Sequence, residues 1–113
     1  MALAMSDNHL VHPRAEDLEL PAVLHALSDP VRLQIVRSLS EHGACNCGTF
    51  AVPVAKSTLS HHLKVLRDAG LTFTEPAGTA RVVSLRRDDL DARFPGLLDA
   101  VLAAAEREIP VSA

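Results

Sequence analysis

The sequence predicts a mainly α-helical domain that carries a single β-hairpin, and three observations point there. Residues 56–71 read Lys-Ser-Thr-Leu-Ser-His-His-Leu-Lys-Val-Leu-Arg-Asp-Ala-Gly-Leu, with Leu59, Leu63 and Leu66 at helical spacing and Gly70 as a stop. Immediately afterwards Leu71-Thr-Phe-Thr-Glu75 alternates as a strand does, turns at Pro76-Ala77-Gly78, and returns over residues 80–85. Before and after this unit lie further apolar stripes of helical period. The chain has 113 residues, enough for one modest core, and its apolar 48 % includes no Trp or Tyr, so that core is aliphatic.

The elements follow in order. Residues 1–14 form a flexible arm, whose first four residues precede a second possible start at Met5 and read as a cloning remnant. The domain spans residues 15–109, and 110–113 are a tail. A first helix over residues 15–27 carries the stripe Leu20, Val23, Leu24 and Leu27, with Pro21 in its first turn or at a kink; His25 packs within it. Asp29-Pro30 restarts a helix, because Asp caps well and Pro suits the first helical position. Val31, Ile35, Val36 and Leu39 form its core face, Arg32 and Arg37 fall on the other side, and Gly43 closes it. A short helix over residues 45–51 and a turn over 52–55 lead to the helix at 56–69, with Ser57 at or beside its N-cap. After the hairpin, Asp88 or Asp89 caps a turn leading to Phe94-Pro95. A last helix to about Glu108 carries Leu98, Val101, Leu102, Ala105 and Ile109.

A short helix, a tight turn and a second, polar-faced helix make a helix-turn-helix, and a following hairpin makes a wing. At roughly 100° per residue, the face opposite the leucines carries Ser57, Ser60, His61, Lys64 and Asp68, with Arg67 on its flank. Hydroxyl, imidazole and ammonium groups reach base edges and phosphates. The first and last helices hold more apolar surface than so small a core can cover. Their stripes, Leu20, Val23, Leu24 and Leu27 with Leu98, Val101, Leu102 and Ala105, are therefore expected to pair two copies across a two-fold axis.

Charge distribution agrees with a polyanion partner. The net charge is −3, yet residues 52–87 carry six basic and two acidic side chains, a local +4. The six are Lys56, Lys64, Arg67, Arg81, Arg86 and Arg87. No apolar run approaches the roughly 18 residues of a membrane span, and no signal-peptide pattern opens the chain, so a cytoplasmic protein is expected. Cys45 and Cys47 are too close in sequence to staple a fold. No phosphate loop and no G-x-S-x-G elbow is present, and the reading is of a regulator rather than an enzyme.

The 56–71 stretch, preceded by Leu27-Ser-Asp-Pro-Val-Arg-Leu-Gln-Ile35, closely resembles the ArsR/SmtB family of bacterial winged-helix repressors, over about residues 18–105. The resemblance implies a homodimer on an inverted-repeat operator, with DNA contacts at Lys56, Ser57, Ser60 and His61. Thr58, Lys64 and Arg67 are neighbours to add, and His62 reads as either a packing or a contacting residue. On the wing, relatives often carry a basic residue where this chain has Thr79; Arg81 is the nearest substitute.

The resemblance also bears on a sensor. Cys45-Asn46-Cys47 stands nearly where arsenic- and cadmium-sensing members carry Cys-x-Cys, but their third cysteine is Phe50 here, and no histidine follows His62. What is left is a mixed site of Cys45 and Cys47 with His42, His9 and His12, the last two on an arm that in some relatives crosses to the partner. Such a set suits nickel, zinc or cadmium. Two alternatives stay open: a metal-independent or thiol-redox-responsive regulator of the same fold, and a dimeric protein-interaction domain.

Overall fold

A computed structural model of the chain describes residues 10–46, 50 and 52–108. The arm residues 1–9, including His9, lie outside this range, as do Cys47, Ile109 and the tail. A 3-10 turn at Ala15–Asp17 leads to α1 (Leu20–Leu27), α2 (Pro30–His42), β1 (Cys45–Asn46) and α3 (Lys56–Ala69). Then come β2 (Thr72–Ala77), β3 (Ala80–Leu85), α4 (Arg87–Arg93) and α5 (Leu97–Glu108).

Local chemistry sets the boundaries. The Asp29 carboxylate accepts from the amides of Val31 at 2.9 Å and Arg32 at 3.1 Å, starting α2 with Pro30 inside its first turn. Gly70 ends α3 in the left-handed region, φ 89°, where its own amide bonds the carbonyl of Arg67 and the Leu71 amide bonds that of Leu66. A Cβ at Gly70 would run into the Leu18 side chain, so only glycine fits this close approach. The hairpin pairs Thr72 with Leu85 through Ala77 with Ala80.

Leu18, Val23, Ile35, Leu66, Leu71 and Val83 sit at the centre of one aliphatic core. α1, α2 and α3 pack on one another, β3 lies against α2, and α4 joins α5 and the 3-10 turn. No helix among the described residues is long and apolar enough to cross a membrane.

Several boundaries and faces differ from the sequence expectation. The helix expected from Ala15 begins at Leu20, because Pro21 has no amide to donate and Leu18 and Glu19 stay extended, carrying Leu18 into the core. Cys45 and Asn46 form a strand rather than the start of a short helix: they pair with Val83 and Val82 and cover the open edge of the hairpin, giving the order β1-β3-β2. The rest of the expected short helix lies largely outside the described residues. Asp88 and Asp89 occupy the first turn of a separate helix, α4, where their charge suits the N-terminal end.

Burial also corrects the assignments of faces. Arg32 and Arg37 are buried, not solvent-facing, and His25 is exposed rather than packed. Of the eight side chains expected at a dimer face, Val23, Leu27, Leu98 and Ala105 are buried in this chain's own core. Val101 and Leu102 are half-buried, while Leu20 and Leu24 stay 41 % and 46 % exposed.

Candidate nucleic-acid interface

The 14 residues of α3 divide cleanly by face. His62, Leu66 and Ala69 are buried and Leu59, Leu63 and Val65 half-buried, while Lys56, Ser57, Thr58, Ser60, His61, Lys64 and Asp68 are exposed. Arg67 is half-buried on the flank. The helix starts two residues earlier than a Ser57 cap would place it: Ala55 holds the cap position without a side-chain bond, and Ser57 lies in the first turn and is exposed. First-turn amides and hydroxyls at a helix N-terminus favour an anionic oxygen.

His62 is settled as a packing residue. The residue is 8 % exposed, and its Nδ1 lies 3.2 Å from Arg32 Nη1 and 3.8 Å from Asp29 Oδ2. Arg32 carries no acceptor, so its contact is a hydrogen bond onto Nδ1 of the neutral ring, and the Asp29 contact is an ion pair in the protonated one. Burial acts to raise the Asp29 carboxyl. The Arg32 amide, the charge of His62, the Val31 amide and the Arg32 guanidinium outweigh it and hold the carboxyl below its ordinary value.

The basic side chains fall into two groups. Lys56 and Arg81 are exposed, Arg81 on β3 opposite Pro76 of the wing, and Lys64 is exposed within a 2.7 Å ion pair to Asp68. Arg86 instead bonds Asp89 at 3.0 Å and the Pro13 carbonyl at 2.8 Å. Arg87 bonds Asp99 at 2.9 Å and Ser40 at 3.1 Å. These two arginines tie separate elements together. Their charge is plain in the sequence, but their partners Pro13, Ser40 and Asp99 are distant in it.

The candidate metal ligands do not converge among the described residues. Cys45 is half-buried on β1, at one edge of the sheet, and His42 is exposed at the end of α2. His12 sits beyond the other edge: its Nε2 accepts from the Thr74 amide at 3.0 Å and its ring stacks on Phe73 at 4.2 Å. Burial, then the charges of Arg67 and Arg86, push His12 below the ordinary imidazole value, with a backbone hydrogen bond to Leu10 working the other way. No group of three or more His, Cys, Asp or Glu side chains gathers among the described residues. Cys47 and His9 lie outside them.

A polar-faced helix set in front of a three-stranded sheet whose hairpin projects as a wing defines a winged helix-turn-helix protein of the DNA-binding class. The profile described as bacterial regulatory protein, arsR family, matches residues 29–72, from the cap of α2 through α3. The HTH-type transcriptional regulator YceK of Bacillus subtilis, itself uncharacterized, is 37 % identical over 89 residues, covering 76 % of this chain and 89 % of that protein. The arsenical resistance operon repressor of Staphylococcus xylosus is 38 % identical over 74 residues, 65 % of this chain and 71 % of that one. The chain belongs to the arsR family and is a DNA-binding transcriptional regulator. In fold it is similar to the crystal structure of the transcriptional repressor BigR from Xylella fastidiosa, with a TM-score of 0.61 at 24 % identity over 82 % of this chain and 88 % of that one.

Proposed function

We propose that the protein acts as a homodimeric repressor on an inverted-repeat operator, with one α3 in each of two successive major grooves. The observation that carries this reading is the unbroken exposed face of Lys56, Ser57, Ser60, His61 and Lys64 on α3. Ser60 and His61 face base edges, Lys56 and Lys64 meet phosphates, and Arg81 on the wing meets the flanking backbone. Two such helices need half-sites about 34 Å apart, one turn of B-DNA. The exposed Leu20 and Leu24 of α1 are the apolar surface available to a second copy. Footprinting on inverted repeats near the protein's own gene tests the reading. Protection that survives Ser60→Ala together with His61→Ala would remove it.

Response to nickel, zinc or cadmium is a separate proposal that rests on Cys45 and Cys47. Two thiolates are too few for a closed tetrahedral site, and His12 is engaged at the far sheet edge. Further ligands would therefore come from His42, from outside the described residues or from a second copy. Operator titrations with metal, with chelator and with the Cys45→Ser/Cys47→Ser double variant decide it. Identical affinities in all three would leave a regulator whose signal is something else.

A further inference from the structure

Packing of Leu59, Leu63 and Leu66 seats α3 on the core. One polar node adds directional bonds to that seat. The Arg32 side chain, 8 % exposed, donates from Nε to the Ala26 carbonyl at 2.8 Å, from Nη2 to the His25 carbonyl at 3.3 Å, and from Nη1 to His62 Nδ1 at 3.2 Å. The two carbonyls belong to the last turn of α1, and that of His25 also accepts from the amide and the hydroxyl of Ser28. Arg32 is itself held at the start of α2 by the Asp29 cap. One guanidinium thus joins the end of α1, the start of α2 and the middle of α3.

We infer that Arg32 and His62 are positioning residues for base readout: without touching DNA, they fix the rotation and axial position of α3 that turn Ser60 and His61 to the groove. The inference rests on the DNA-reading role proposed for α3. His62 directly follows His61 and lies two residues from Ser60, so a displacement at its ring is passed on to both through less than one helical turn. A hydrogen bond at 3.2 Å is lost beyond about 3.5 Å, which leaves α3 only a few tenths of an ångström of play at this point. Without the His62 acceptor, a buried guanidinium N–H has no partner in its place, and the helix is driven to shift or to admit water. Only a planar fork can serve the three acceptors at once; an ammonium on a flexible stem cannot hold the same geometry.

The test compares specific with non-specific DNA affinity, using the full chain, the footprinted operator and a scrambled duplex of equal length. His62→Asn keeps an acceptor, because Oδ1 hangs on Cγ as Nδ1 does; His62→Leu removes it and keeps the bulk. The Leu variant is expected to lose about tenfold or more in the specific-to-non-specific ratio, with non-specific affinity and salt slope unchanged. Asn restores the ratio to within about threefold of the parent. Arg32→Lys reproduces the loss and serves should the Leu variant fail to fold. Unchanged selectivity in the Leu and Lys variants overturns the inference, and so does equal loss of specific and non-specific binding in Asn and Leu. A parent protein that prefers no inverted repeat overturns instead the DNA-reading role on which the inference rests.

Discussion

Lys64 Nζ lies 2.7 Å from Asp68 Oδ2, one helical turn further along the exposed face of α3. In the DNA-free protein this pair masks part of the positive charge that the face presents, and the carboxylate would stand close to any phosphate that Lys64 meets. Asp68→Asn is therefore expected to raise DNA affinity by about three- to tenfold at low salt, a gain that shrinks as salt is added. Both side chains are more than half exposed, so stability should move by no more than about 0.5 kcal/mol. Lys64→Ala should lower the log–log salt slope by about one unit. Operator titrations over a salt series measure both effects.

Gly70 fixes where α3 ends and how Leu18 enters the core. Its φ of 89° disfavours any side chain, and an added methyl would meet Leu18, a core residue 1 % exposed. Gly70→Ala should cost about 2–4 kcal/mol, from left-handed strain and overpacking together. Urea unfolding should show a lower midpoint at unchanged slope. A loss under about 0.5 kcal/mol would mean that Leu18 yields easily.

These two sites also show what a sequence displays and what it hides. Gly70 at the end of an apolar helical repeat, Asp29 before Pro30, and Gly78 in the hairpin turn are local signals, and the structure puts boundaries at each. The polar face of α3 was legible for the same reason: it follows from period alone. Arg32 was not, because its burial comes from carbonyls of the preceding helix and a histidine 30 residues away. Periodicity put it on the outer side of α2; its three acceptors draw it inward. β1 was hidden likewise, since a two-residue strand exists only by virtue of its partners Val82 and Val83. His25 misled in the opposite direction: it lies among apolar neighbours in sequence, yet its ring is exposed while its carbonyl serves Arg32.

The Asp29 cap predicts a pH dependence of stability. The folded carboxyl is held below its ordinary value of 3.8, so the folded state favours the charged form more than the unfolded chain does. The stabilisation is fully present above that ordinary value and is lost as pH falls through the lower folded one. Asp29→Asn keeps an acceptor for the Val31 and Arg32 amides but removes the charge near His62 and Arg32. At neutral pH it should cost about 0.5–1 kcal/mol, and the difference from the parent should vanish in acid. Thermal or urea unfolding of both proteins across an acid-to-neutral series checks the sign. A gap that widens on acidification would contradict it.

The arm makes the last test, because His12 seals the outer edge of the wing. Thr74 pairs with Val83 on one side, and on the other its amide donates to His12 Nε2 at 3.0 Å, a bond no strand supplies. The same ring stacks on Phe73, whose side chain is 40 % exposed even so, and Arg86 holds the arm one residue later through the Pro13 carbonyl. His12→Ala should uncover both the amide and the phenyl ring, at a cost of about 1 kcal/mol in stability. Amide exchange localises the effect: Thr74 should exchange about fivefold faster or more, while amides of α2 keep their protection. His12→Phe separates the two contributions, since it keeps the stacking surface and lacks the acceptor. If Thr74 exchanges as fast in the Phe variant as in Ala, the imidazole nitrogen is what closes the edge. If Phe restores protection, stacking alone holds the arm, and the hydrogen bond adds little to it.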